Sequence, residues 1–76
     1  MSQFRQIVHD ANIMGGKACI AGTRITVGTI LMQISEGATF DEILAEYPPL
    51  TAEALSEALR YAAWTTGARE DVVASL

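Results

Sequence analysis

Apolar residues recur with a helical period in three stretches of the chain, and this pattern predicts three amphipathic helices. The first stretch has the spacing i, i+3, i+4, i+7 at Val27, Ile30, Leu31 and Ile34. Thr26 precedes it and is suited to cap the helix, because its hydroxyl can accept a hydrogen bond from a free backbone N–H. Gly37 follows the stretch and is expected to end the helix, since glycine adopts left-handed backbone angles at low cost.

A second helix is predicted between Thr39 and the proline pair at residues 48–49. Thr39 stands three residues before Glu42, which is the spacing of a capping box. Pro48 disfavours helical backbone angles at Tyr47, and neither proline can donate a hydrogen bond, so the helix should end there. Its apolar positions are Phe40, Ile43, Leu44 and Tyr47.

A third helix is predicted to begin after Thr51 and to end near Trp64 or Thr66, before Gly67. Glu53 falls in its first turn, where the helix dipole favours a carboxylate. The predicted core stripe of this helix consists of Leu55, Ala58, Leu59 and Ala62.

The first 25 residues carry short apolar runs separated by glycine turns. Residues 4–9 predict an extended segment, and we expect a short hairpin or irregular β-like arm that folds around residues 21–24. The structural motif of this arm is Gly16, Lys17, Gly22, Thr23 and Arg24. The full prediction is a mostly α, single domain over residues 1–76, with an arm at 1–25, a three-helix helix-turn-helix-like core at 26–66 and a tail at 67–76.

Composition adds an expectation about partners. Half of the 76 residues are hydrophobic, and a chain this short folds with little margin unless a disulfide, a metal or a partner subunit supports it. Cys19 is the one cysteine and His9 the one histidine, which is too few for an intramolecular disulfide or a four-ligand zinc site. We therefore expect support from oligomerisation or from a partner protein.

Charge argues against a general affinity for nucleic acid. The formal net charge is −4, so the average surface repels phosphate. The cations are Arg5, Lys17, Arg24, Arg60 and Arg69. Three of them lie in the first 24 residues beside a single acid, Asp10, and the rest of the chain is acidic.

No apolar window approaches the roughly 20 residues of a membrane span, and the first ten residues lack a signal peptide's apolar run, so we expect a cytoplasmic protein.

The chain lacks the residue sets of common catalytic and cofactor sites. No Cys-His or Ser-His-Asp set can be assembled around the one histidine, and Gly15-Gly16-Lys17 lacks the other residues of a phosphate loop. We expect no enzymatic activity, no metal and no cofactor. His9 is predicted to flank a strand, and Cys19 to fill a small space in the core.

Helix three would be the recognition helix of a DNA-binding protein with this arrangement. On a helical wheel, the face opposite Leu55 holds Glu53, Glu57, Arg60 and Trp64. Two carboxylates on that face disfavour contact with phosphates, so we expect Glu53 and Glu57 to face a basic protein instead. An N-terminal arm with Arg5, Lys17 and Arg24 is the alternative DNA contact.

Trp64 is the largest aromatic residue, and the wheel directs it away from the helical core, with Tyr61 at its flank. Either the N-terminal segment or the tail folds over it, or it anchors a dimer or partner interface, as aromatic residues often do. We predict an interface of Tyr61, Trp64, Val72, Val73 and Leu76. Met32, on the solvent side of helix one, is a weaker candidate of the same kind.

Arg24 directly precedes the first helix in the arm. Its guanidinium is expected to bind backbone carbonyls or a carboxylate such as Asp41 or Glu42, which would tie the arm to helix two.

Four blocks resemble family 433 of the domains of unknown function: GGKACIAGTRI at 15–25, EGATFDEIL at 36–44, YPPLT at 47–51 and ALRYA at 58–62. The resemblance covers about residues 5–63. The family commonly has proline where this chain has Ala18 and Thr26, and an acid where it has Ala54. Loss of the first proline loosens the arm, whereas Thr26 can instead cap helix one.

The resemblance implies a small winged or homeodomain-like helix-turn-helix protein. Many members are encoded beside a PIN-like nuclease toxin and are regarded as VapB-like antitoxins. We therefore expect a homodimeric antitoxin that blocks its toxin's active-site groove with the tail or the acidic face of helix three, and that also represses its own operon. The alternatives are a transcriptional regulator acting through DNA, and a dimeric interaction module without a toxin.

Overall fold

The computed structural model describes residues 4–67, which form three helices and a two-stranded antiparallel hairpin at the N-terminal end. The strands are β1 (Ile7–His9) and β2 (Ala18–Ile20), and the helices are α1 (Val27–Ser35), α2 (Phe40–Glu46) and α3 (Ala52–Thr65). This confirms the predicted combination of a three-helix domain and a β hairpin. The predicted interface residues Val72, Val73 and Leu76 lie outside the described residues.

The hairpin is built differently from the prediction. β1 pairs with β2 so that Val8 lies opposite Cys19, and the two strands are joined by residues 10–17 rather than by residues 21–24. The connection reverses through a 3-10 turn in which Met14, Gly15 and Gly16 all have positive φ, at 49°, 68° and 86°. Because β1 supplies the pairing partner for β2, the reversal has to lie between them.

Residues 21–24 form a second, tighter turn that leads into α1. Within it Gly22 has a φ of 80°, and the Ile20 N–H donates to the Ile25 carbonyl at 2.9 Å. The Thr23 hydroxyl donates to the Ile20 carbonyl at 2.8 Å and accepts from the Ile25 N–H at 3.0 Å. The predicted turn therefore exists, but the strand pairing across it is a single bridge between Cys19 of β2 and Thr26.

All three helices begin at the predicted threonine caps. The Thr26 hydroxyl accepts from the Thr29 N–H at 3.0 Å, and the Thr51 hydroxyl accepts from the Ala54 N–H at 3.1 Å. Thr39 and Glu42 complete a capping box, in which each side chain binds the other residue's backbone N–H. These bonds satisfy N–H groups that have no partner within the helix.

The core lies where the hairpin and the three helices meet. Its buried apolar residues are Ile7, Ile20, Val27, Ile30, Ile43, Leu50, Ala54, Leu55 and Ala58, with Cys19 also buried. The predicted stripe of α3 is correct for Leu55 and Ala58, but Leu59 is 36% exposed and Ala54 is buried in its place. The stripe is rotated because α3 packs against the hairpin as well as against α1 and α2.

Within residues 4–67, no helix combines the length and the apolar character that crossing a membrane requires.

Candidate partner interface

An acidic surface forms where α1 turns into α2. A shallow groove of about 470 Å³ lies there between Glu36 at the end of α1 and Glu42 and Glu46 on α2. Gly37 ends α1 with a φ of 98°, which reverses the chain and brings α2 beside the end of α1. We call Glu36, Glu42 and Glu46 the acidic corner. All three residues are exposed.

No lysine or arginine is present between Arg24 and Arg60 in the sequence. The acids in this interval are Glu36, Asp41, Glu42, Glu46, Glu53 and Glu57. The acidic corner therefore has no cation on its own helices to neutralise it. Such a surface attracts basic groups and repels phosphate.

A second groove, of about 790 Å³, follows the exposed face of α1, and we call it the α1 groove. α1 contains no charged residue, and Met32 on this face is 59% exposed, as predicted. Lys17 and Ala18 of the hairpin and Tyr61 of α3 complete the lining. An exposed apolar side chain on an uncharged helix face is typical of a protein contact surface.

An aromatic cluster joins the N-terminal segment to α3. The Phe4 ring lies edge-on to Tyr61 at 5.4 Å and 5.7 Å from the Trp64 ring. His9 Nε2 is 3.1 Å from the Tyr61 hydroxyl, within hydrogen-bonding distance. The N-terminal segment therefore packs on Trp64, which agrees with the predicted alternative that this segment folds over the ring. Trp64 nevertheless keeps 37% of its surface exposed. The predicted pair Tyr61 and Trp64 lies together in space, and its role in an interface stays a prediction.

Glu57 does not lie on an exposed face of α3, contrary to the helical-wheel prediction. It is only 6% exposed, and its Oε2 accepts a hydrogen bond from the Gln6 N–H at 2.5 Å. Arg60 Nη2 lies 3.8 Å from its other oxygen. The residues before β1 cover this side of α3, so Glu57 stabilises the attachment of the N-terminal segment. Glu53 remains exposed in the first turn of α3.

Arg24 does not make the predicted contact with helix two. It is exposed, and the ion pair between Arg60 and Glu57 is the one found within residues 4–67. Glu42 already binds the Thr39 N–H in the capping box. In the arm, Thr23 makes the stabilising hydrogen bonds that were expected of Arg24, because its short side chain reaches the backbone of its own turn.

The one cysteine and the one histidine both lie in the hairpin. Cys19 is a buried free thiol, and His9 ends β1, as the sequence predicted for both. Within residues 4–67, no three His, Cys, Asp or Glu side chains lie close enough to hold a metal ion. The side chains that line the two grooves offer hydrophobic contact and electrostatic attraction.

The acidic corner and the α1 groove were not identified as sites from the sequence. The signal was present in part, since the absence of lysine and arginine between Arg24 and Arg60 and the uncharged sequence of α1 are visible by inspection. The meeting of Glu36 with Glu42 and Glu46 depends on the angle between two helices, which periodicity does not specify.

Comparison with known proteins agrees with the resemblance. No curated protein is significantly similar to this chain. The crystal structure of a DUF433 member protein from Anabaena variabilis ATCC 29413 is similar, with 38% sequence identity and a TM-score of 0.73. The similarity covers 86% of this chain but only 62% of that protein's chain. The profile of the protein family of unknown function DUF433 matches residues 7–62, and the chain therefore belongs to the DUF433 family.

Proposed function

We propose that this DUF433 domain is the antitoxin of a type II toxin–antitoxin pair, which binds and inhibits a PIN-like RNase in the cytoplasm and catalyses no reaction itself. The observation that carries the proposal is the acidic corner, which lies in a long interval without lysine or arginine. An RNase has to bind a polyanion and therefore presents cations around its active site. The acidic corner is complementary to such a surface.

Inhibition would be steric and electrostatic. The carboxylates of the acidic corner would occupy the cationic groove of the RNase in place of RNA phosphates, and the rest of the domain would block access. Burial of Glu57 removes it from this role. Glu53 is exposed in the first turn of α3 and lies outside the acidic corner. The tail residues Val72, Val73 and Leu76 are proposed as an additional contact.

The decisive test is co-expression with the product of the neighbouring open reading frame. We expect the neighbouring protein alone to arrest growth and to degrade RNA, and co-expression of this domain to restore growth through a complex that survives purification. A variant with Glu36→Lys and Glu46→Lys should lose rescue, because the reversed charges repel the basic groove. If the wild-type domain forms no complex and rescues nothing, the antitoxin proposal is wrong.

A transcriptional regulator that acts through DNA is the second candidate, and operator binding is also the proposed route of autorepression. The four cations of the described residues lie in the arm and in the second half of α3. Burial of Glu57 also removes one of the two carboxylates that opposed DNA on α3. A mobility shift of the upstream DNA by the protein alone, weakening steeply with salt, would favour this candidate.

We also propose that the domain forms a homodimer through the exposed part of Trp64. In a Trp64→Ala variant we expect the dimer to dissociate in sedimentation while the circular dichroism of the helices is retained, because aromatic anchors carry much of an interface's energy. Leu44→Ala, at a half-buried position of α2, is the control. A variant that unfolds, or one that stays dimeric, would count against this interface. If the protein is dimeric but no neighbouring gene encodes a nuclease, a dimeric interaction module without a toxin would be favoured over an antitoxin.

A further inference from the structure

We infer that the α1 groove and the acidic corner form one docking surface for an amphipathic, basic segment of a partner protein. This inference rests on the proposed function, because it assumes that the domain binds a protein partner and assigns the surface that the partner contacts. Gln33 and Glu36 line both grooves, so the apolar and the acidic parts are continuous. A partner that fits both has apolar side chains for α1 and lysine or arginine for α2.

Gly28 supports the assignment of the α1 groove to a close-packed partner. It is exposed in the first turn of α1, where its φ is not left-handed. A Cβ at this position would meet only the Thr26 hydroxyl, at 3.8 Å, which is an ordinary contact. Glycine lowers helix stability relative to alanine, so helix formation does not account for its presence here. A missing side chain beside Met32 does, however, let another backbone approach closely.

The charges of the surface set the orientation of the occupant. Lys17 lines the α1 groove from the hairpin side, and Glu36 lines it where it meets the acidic corner. A basic segment is therefore favoured with its cations toward α2, and a neutral or acidic end is favoured near Lys17. α1 is nine residues long, which corresponds to about 13 Å of contact along its axis.

The surface can be tested with a defined probe, an amphipathic peptide of leucine and lysine, against a peptide of the same pattern in leucine and glutamate. On titration of the isotope-labelled protein, we expect amide shifts at residues 28–36 and at Glu46 with the lysine peptide only. Binding should weaken about tenfold in Gly28→Leu, which fills the groove, and in Glu46→Lys. Glu53→Lys, an equal charge reversal outside the surface, should change binding less than about twofold.

Shifts centred on α3, or equal losses from Glu46→Lys and Glu53→Lys, would overturn the inference. So would unchanged binding by a folded Gly28→Leu protein, with the helical circular dichroism of each variant as the check on folding. If the protein self-associates and Gly28→Leu makes it monomeric, the occupant is a second copy and the inference is wrong.

The same variants separate this inference from the proposed function. If the neighbouring nuclease binds the wild type and Gly28→Leu equally, the docking surface is wrong and the antitoxin proposal stands. If the nuclease binds neither while the lysine peptide binds as described, the antitoxin proposal is wrong and the docking surface stands.

Discussion

At the scale of single residues, Glu57 shows why a helical wheel misplaces a side chain. The wheel sets Glu57 opposite Leu55 and so predicts exposure, but it treats α3 as a helix with one packed face. In the structure the Gln6 N–H donates to Glu57 from 51 positions away along the chain. No local pattern signals such a pair, because its partners meet only after the arm has packed on α3.

The role assigned to Glu57 predicts a loss of stability. We expect Glu57→Ala to lower the free energy of unfolding by about 1–3 kcal/mol, because the partly buried Gln6 N–H loses its acceptor. Urea unfolding followed by circular dichroism measures this change. Glu53→Ala, which removes an exposed carboxylate of the same helix, should cost less than about 1 kcal/mol. Equal effects of the two substitutions would contradict the structural role of Glu57.

At the scale of elements, the helices were predictable and the hairpin was only partly so. The caps at Thr26, Thr39 and Thr51 involve residues within three positions of one another, so the sequence itself carries the signal. The pairing of β1 with β2 crosses residues 10–17, and glycine turns occur at both ends of β2. Which turn closes the hairpin depends on where Ile7 finds its buried partners, and that is decided by tertiary packing.

Within α1, we expect a side chain at position 28 to increase the stability of the fold, although a large one should weaken binding. We expect Gly28→Ala to raise the free energy of unfolding by about 0.5 kcal/mol, because alanine favours the helix and its methyl group meets no obstacle. Thermal unfolding of the wild type and the variant tests this. Gly37→Ala is the opposite control, since its φ of 98° is unfavourable for alanine and the variant should be less stable. A destabilised Gly28→Ala protein would mean that the fold itself needs this glycine.

At the scale of the whole molecule, the sequence predicted an acidic protein with a basic protein partner, and the structure locates the charges of residues 4–67. The exposed carboxylates Glu36, Glu42 and Glu46 lie together at one corner, whereas the four cations of residues 4–67 belong to the arm and the second half of α3. The corner was not predicted because it exists only through the turn at Gly37. The family relationship was visible in the sequence, since each of the four blocks that resemble the family is an uninterrupted stretch of the chain.

This arrangement predicts how salt affects complex formation. With a basic nuclease, we expect the association rate to fall about tenfold or more between low and physiological salt, while the dissociation rate changes little. Stopped-flow or surface-based kinetics at several salt concentrations measure both rates. The charge reversal Glu46→Lys should flatten the salt dependence of association, and Glu53→Gln should alter it less. A dissociation rate that carries most of the salt effect would contradict this prediction.

The concentration of carboxylates at the acidic corner also makes the charge distribution of residues 4–67 uneven, which contributes to an electric dipole moment. A dipole in the field of a basic partner experiences a torque before the surfaces touch, so we expect the molecule to approach such a partner with α2 in front. A larger share of random collisions then begins in a productive orientation. In the proposed complex, the long interval without lysine or arginine would thus act during diffusion, by turning the domain toward a basic partner ahead of any contact.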